Sequence, residues 1–374
     1  MHHPTGGELV TSLREIFVIN PAHLHRSYTM STNPPKVQYR QLGKSGLKIS
    51  VPIVGAMSFG SPDWADWVLP EEPTMRILQA AWDLGINTID TANVYSNGES
   101  ERIIGKWIKQ SNIPRERLVI ATKCNGLVSD TIGHRTTLMP ELRSHRDYVN
   151  HYGLSRAAIF NAVEASLSRL QLSYIDLLQI HRFDADTPVE ETMKALHDLV
   201  ESGKVRYIGA SSMRTWQFAM MNEVAEKKGW TKFVSMQDEY SLLYREEERE
   251  MIPYCNFNGI GLIPWAPLGD GLLARPLGVE TTRSKNAKGT IFERKLADSD
   301  RQIIARVDEL AKKKGVTMAQ IAIAWVASKV SSPIIGVNSV KRLVEGITTD
   351  VTLSVEEKQY LEELYEPKRI RGHA

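Results

Sequence analysis

The sequence predicts an α/β protein built as a (β/α)8 TIM barrel, with an N-terminal β-hairpin in front and extra C-terminal helices behind. Three observations carry that expectation. Short apolar runs alternate with helix-spaced segments about eight times, which suits a closed parallel barrel better than an open sheet. No G-x-G-x-x-G turn joins an early strand to a helix, so the fingerprint of the competing doubly wound fold is missing. Several apolar runs end on a charged or hydrogen-bonding residue, as they do when strand ends converge on one reactive face.

Composition narrows the class. The chain's 374 residues are 42% hydrophobic and 24% charged, enough to bury a large core. A formal net charge of +2 and the lack of a long Lys/Arg block argue against a nucleic-acid or anionic-membrane partner. Cys124 and Cys255 are the only cysteines, without the paired Cys/His spacing that holds zinc, so no metal is expected and a reducing, cytoplasmic setting is. No apolar run approaches the roughly 20 residues that span a bilayer. A monomer or weak homo-oligomer acting on a small molecule is the expected form.

Residues 1–36 show no convincing helix or strand period and read as a poorly ordered extension; Met30 is a candidate true start. The barrel-forming part runs over 37–367, leaving 368–374 as a tail. From Val37, YRQLGKSGLKIS joins two short extended runs by Gly-containing turn chemistry, a hairpin signature. VPIVGAMSFG is the first barrel strand. Met75, Ile77, Leu78, Ala81 and Trp82 then recur at helical spacing over Pro73 to Leu84, with Gly85 as the stop and NTID as the next strand.

The alternation continues with a helix through Lys109 and the strand LVIATKC. Asn125 to Gly153 is longer than an ordinary connection and is expected to be functional or mobile, able to fold over a site. Ser155 is placed to cap a helix ahead of the strand YIDLLQIH. VRYIGASS, FVSMQDEY and IGLIPWAPLG follow as strands, each preceded by a helical segment. Gly269 to Arg294 interrupts the alternation, two more helical patterns lead to SPIIGV, and VKRLVEGI and VEEKQYLEELY close the chain.

The chemistry begins in Ile86 to Gly105, INTIDTANVYSNGESERIIG, where Asp90 and Tyr95 sit as a strand gives way to a loop. Taken alone, that stretch suits a solvated loop equally well. Lys123 ends LVIATK and His181 ends IDLLQI, and charge at the end of a buried strand is costly unless it is paired or used. A surface lysine and a core histidine remain the bland readings of each residue singly. Together the four suit carbonyl reduction, in which a hydride reaches carbon and a proton must reach oxygen. A phenol can give that proton, but its unperturbed pKa of about 10 calls for a nearby ammonium to stabilise the phenolate. Lys123 would be that ammonium, Asp90 its partner, and His181 a hydrogen-bond donor to the carbonyl oxygen.

From Val37 to Pro367 the sequence resembles the aldo-keto reductases, most closely the branch holding the fungal aryl-alcohol dehydrogenases and the potassium-channel β subunits. IDTANVYSNGESERIIG, LVIATK and IDLLQIHRFD carry the resemblance. It implies a barrel binding NADPH/NADP+ across its C-terminal face, with Asp90, Tyr95, Lys123 and His181 as the catalytic tetrad. It also accounts for the missing Gly-rich turn, which this family does not use.

The resemblance further implies carboxamide contacts from Ser211 and Gln237, and from Ser212 where the family usually has Asn or Arg. Trp265 would stack on the nicotinamide, a buried core Trp being the alternative. Leu268, Gly269 and Gly271 would pass beside the pyrophosphate, the glycines permitting close approach. Asn338, Ser339 and Arg342, at a helix start, would meet the adenosine phosphate, and the fork of Arg342 suits a 2′-phosphate. Only part of the family's basic pattern is kept there.

Trp64 and Trp67 lie in the loop after the first barrel strand and suggest an aryl or bulky carbonyl substrate, such as an aryl aldehyde or a polyketide-derived ketone, unless they merely pack the loop. The rival to an NADPH-dependent carbonyl reductase is a regulatory subunit of the channel β type with little turnover.

Overall fold

The computed structural model describes residues 36–279 and 295–373. The expected N-terminal extension, Lys36 apart, and the end of the Gly269–Arg294 interruption lie outside the described residues. An antiparallel hairpin opens the fold, β1 (Gln38–Gln41) against β2 (Lys48–Val51). Eight strands then form one parallel sheet: β3 (Ile53–Gly55), β4 (Thr88–Asp90), β5 (Val119–Cys124), β6 (Ile175–Ile180), β7 (Val205–Ser211), β8 (Ser235–Gln237), β9 (Gly261–Leu262) and β10 (Ile334–Gly336).

From β3 to β9 each strand pairs with its successor, and β10 returns to β3. This is the curled order of a (β/α)8 barrel. The regular ladder stops between β9 and β10, because β9 has two residues and leads into Pro264, which has no N–H to donate. That seam is bridged by single bonds, from the Ile334 N–H to Pro264 O at 2.9 Å and from the Ser331 N–H to Leu262 O at 3.0 Å.

The helices cover the outside. They are α1 (Glu71–Asp83), α2 (Glu99–Ser111), α3 (Arg156–Leu170), α4 (Val189–Glu201), α5 (Thr215–Lys228), α6 (Met251–Asn258), α7 (Asp298–Lys314), α8 (Met318–Ala327), α9 (Val340–Glu345) and α10 (Val355–Glu362). The first starts two residues before the expected Pro73, since proline is accommodated in the first turn, where its missing N–H has no intrahelical partner. Ser155 caps α3 as expected, accepting from the Ala158 N–H.

Apolar side chains of α3, α4 and α5 pack on β5 to β8, and those of α1, α2 and α9 on β3, β4 and β10. A third layer joins α7, α8 and α10. Inside the barrel, Leu42 and Ile49 of the hairpin meet Ile53, Ala121, Leu177 and Ile334. The hairpin turn docks by a bond from the Lys44 N–H to Gly259 O (2.7 Å). Gly43 has φ +59°, and a Cβ there would lie 2.4 Å from Gly259 O, so only glycine fits so close an approach. Since Gly259 precedes β9, the hairpin closes the N-terminal end of the barrel and the opposite end remains for chemistry. No described helix is long and apolar enough to cross a membrane.

Candidate active site

Asp90, Lys123 and Gln179 project from three adjacent strands, β4, β5 and β6, and their partners follow from that adjacency. Lys123 Nζ donates to Asp90 Oδ1 at 2.5 Å and to Thr91 O at 2.9 Å. It also lies 3.4 Å from the Tyr95 hydroxyl. Burial works against the charged lysine, but Asp90 and then the Tyr95 phenol outweigh it and hold its pKa above the ordinary lysine value. The ammonium is thus the joint between a carboxylate and a phenol.

The second Asp90 oxygen is equally committed. Oδ2 accepts from Gln179 Nε2 at 2.9 Å and from Gln237 Nε2 at 2.8 Å, and the latter also donates to Gln179 Oε1 at 2.9 Å. Gln179 was not among the expected site residues, yet a signal for it exists: it is the one amide in the apolar run IDLLQI, two positions before His181 and so on the same strand face. For Gln237, expected as a cofactor contact, the geometry adds a second task, that of orienting Asp90.

His181 lies just past β6, its N–H bonded to Cys124 O at 2.8 Å. Its ring meets the Tyr95 ring edge-on, with centroids 6.0 Å apart. Burial first, then the charges of Arg182 and Lys123, push its pKa well below the ordinary histidine value. The imidazole is therefore neutral near neutrality, a hydrogen-bonding group rather than a proton reservoir.

Tyr95 is aimed by an unusual turn. Ser96, Asn97 and Gly98 follow it at φ +48°, +50° and +89°. Asn tolerates the left-handed region better than most residues, and here its side chain is also employed. Asn97 Nδ2 donates to Thr131 O (3.1 Å), Ile132 O (2.9 Å) and His134 O (2.8 Å), while its Oδ1 accepts from the Ser129 N–H (3.0 Å). One side chain thereby ties the long loop after β5 to the turn that carries the phenol.

The same loop reaches the two tryptophans. Trp64 and Trp67 pack edge-on with centroids 6.1 Å apart, and the Arg135 guanidinium lies 4.4 Å over the Trp64 ring. The two rings are thus packed against each other and against that loop.

On the other side, Ser211 Oγ donates to Gln237 O at 2.7 Å. Ser212, at φ +47°, turns its N–H to Asp238 Oδ1 (2.8 Å), and its hydroxyl accepts from the half-buried Trp265 indole N–H (3.2 Å). Gly269, Asp270 and Gly271 form a left-handed run (φ +55°, +59°, +91°) directly after Leu268. Ser339 caps α9 by accepting from the Arg342 N–H, beside exposed Asn338. Arg342 pairs with Glu345 at 3.1 Å. Arg275, which no motif in the sequence singles out, has its pKa lowered by burial and then by the nearby charge of Arg342.

Comparison with known proteins points to one family. The model of the aldo/keto reductase family matches residues 53–366. Aldo-keto reductase AFTS1 of Alternaria alternata is 51% identical over 355 residues, 93% of this chain and 97% of the relative. Versiconal hemiacetal acetate reductase of Aspergillus parasiticus is 50% identical over 339 residues, 89% and 98% of the two chains. A Schizosaccharomyces pombe protein provisionally named as an aryl-alcohol dehydrogenase is 48% identical over 354 residues, 92% and 99%.

Proposed function

The chain belongs to the aldo/keto reductase family, a family of oxidoreductases that act on carbonyl groups, and on that premise we propose that it reduces an aryl or bulky aldehyde or ketone with NADPH, Tyr95 supplying the proton. The observation that carries this reading is the placement of Lys123 Nζ, 2.5 Å from Asp90 and 3.4 Å from the Tyr95 hydroxyl. An ammonium so held stabilises the phenolate left when Tyr95 gives up its proton. His181, kept neutral, donates an N–H to the carbonyl oxygen and fixes its approach without competing as the acid. Gln179 and Gln237 hold Asp90, which orients Lys123.

NADPH, when bound, supplies the hydride. The residues present suit it. Arg275 and Arg342 offer charge for a 2′-phosphate, and the left-handed turn at Gly269 to Gly271 leaves backbone open to a pyrophosphate. Ser211, Ser212, Gln237 and Trp265 line the region expected to receive the nicotinamide, with Asn338 and Ser339 at the adenosine end. Trp64 and Trp67 favour an aromatic or bulky substrate, as do the hemiacetal acetate and aryl-alcohol names of the relatives.

The test is to follow NADPH oxidation with a panel of aryl aldehydes and ketones in wild type and Tyr95→Phe. Loss of roughly 10²- to 10⁴-fold in turnover with cofactor binding retained is the expected result. Equal turnover by the two proteins would exclude Tyr95 as the acid.

A further inference from the structure

A second concentration of buried charge begins one residue after Gln237. Asp238 and Glu247 are each only 5% exposed. The C-terminal tail brings His373 against them, its Nε2 3.0 Å from Glu247 Oε1. One oxygen of each carboxylate and one ring nitrogen all lie within 4.8 Å of one another. Asp238 Oδ1 accepts from the Ser212 N–H, but Asp238 Oδ2 is buried with no hydrogen-bond partner among the described residues, and so is His373 Nδ1.

Two buried carboxylates this close disfavour each other's charge. A buried oxygen in this position is satisfied by a proton or by a cation. Two carboxylates and one imidazole form a three-ligand set that suits zinc, at about 2.0–2.2 Å per ligand with a further position open. Tetrahedral ligands at that radius stand about 3.3 Å apart. The His373–Glu247 edge, at 3.0 Å, is already near that spacing, and no edge of the cluster exceeds 4.8 Å. The tail is held in register for this by Arg371, whose guanidinium donates to both Glu239 oxygens at 3.0 and 2.7 Å.

We infer that Asp238, Glu247 and His373 form a divalent-cation site, with Zn²⁺ the fitting ion, that clips the C-terminal tail to the segment following β8. The site is separate from the Asp90 network and needs no turnover to be seen. The Cys/His spacing that excludes a conventional zinc motif is blind to it, because two ligands are carboxylates and the third lies 126 positions beyond Glu247 in the chain. A Cβ on Gly372 would stand 3.5 Å from the Trp265 ring, so the clip also fixes the chain beside that ring.

The experiment is titration calorimetry of the chelator-treated full-length chain with zinc sulfate, comparing wild type with His373→Ala. Since the chain has 10 histidines, the readout is the difference between the two proteins. Wild type should bind one equivalent more than His373→Ala, with a buffer-dependent heat that reports a proton displaced from the cluster. Zinc should raise the melting temperature of wild type only, and Glu247→Gln should weaken the differential site at least about 10-fold. Equal stoichiometry in wild type and His373→Ala, or a melting shift that survives the substitution, would overturn the site and leave a proton-bridged cluster.

Discussion

Asp90 and Lys123, on neighbouring strands, form an ion pair of 2.5 Å with both side chains sealed from solvent. Breaking such a pair on one side leaves an uncompensated buried charge, which costs about 3–5 kcal/mol. Asp90→Asn should therefore lower stability by an amount near the bottom of that range and depress turnover with it, measured by urea unfolding and NADPH oxidation. Because the folded-state pKa of Lys123 is raised, its contribution is fully present below the unfolded value near 10.5 and is lost as pH rises through the higher folded value. Wild type should thus lose stability in strong alkali with a slope that Lys123→Met lacks.

His181 titrates in the opposite sense. Its folded-state pKa is depressed, so the unfolded chain binds the proton first and stability falls as pH drops below the unfolded value near 6.5. Ring NMR of selectively labelled protein should show a neutral imidazole from pH 6 to 8 by the same reasoning. An imidazolium signal at pH 7 would contradict the role given to it here.

Gln179 positions Asp90 through a bond of 2.9 Å. Hydrogen bonds to charged groups contribute about 1.5–3 kcal/mol, so Gln179→Leu should reduce kcat roughly 10- to 100-fold. Cofactor affinity should change little, and Gln179→Glu should not restore activity, since it sets a second carboxylate against Asp90. Equal losses in kcat and cofactor affinity would point to general disruption of the site instead.

Asn97 secures the long loop after β5 by four bonds between its amide and residues 129–134. Asn97→Ala removes those bonds and adds the strain of alanine at φ +50°. Asn97→Gly removes the bonds alone. Both should raise KM and speed amide hydrogen exchange over residues 129–134. A normal exchange rate in Asn97→Gly would show that the loop is held by other contacts.

Arg275 and Arg342 should discriminate between cofactors. Replacing either by Ala is expected to weaken NADPH roughly 10-fold or more while leaving NADH nearly unchanged, read by fluorescence titration. Parallel weakening of both cofactors would remove the 2′-phosphate from the role proposed for them.

The order of strands and helices, the hairpin and the positions of Asp90, Tyr95, Lys123 and His181 were all legible in the sequence. Each rests on a local property: an apolar run short enough for a strand, a helical repeat, or a costly polar residue at the end of a buried segment. Tertiary structure alone decided the rest. Gln179 and Gln237 reach Asp90 across separations of 89 and 147 residues, and His373 reaches Glu247 from the tail. Periodicity records which face of an element is buried, whereas the partner of a buried polar group depends on how distant strands are brought side by side when the barrel curls.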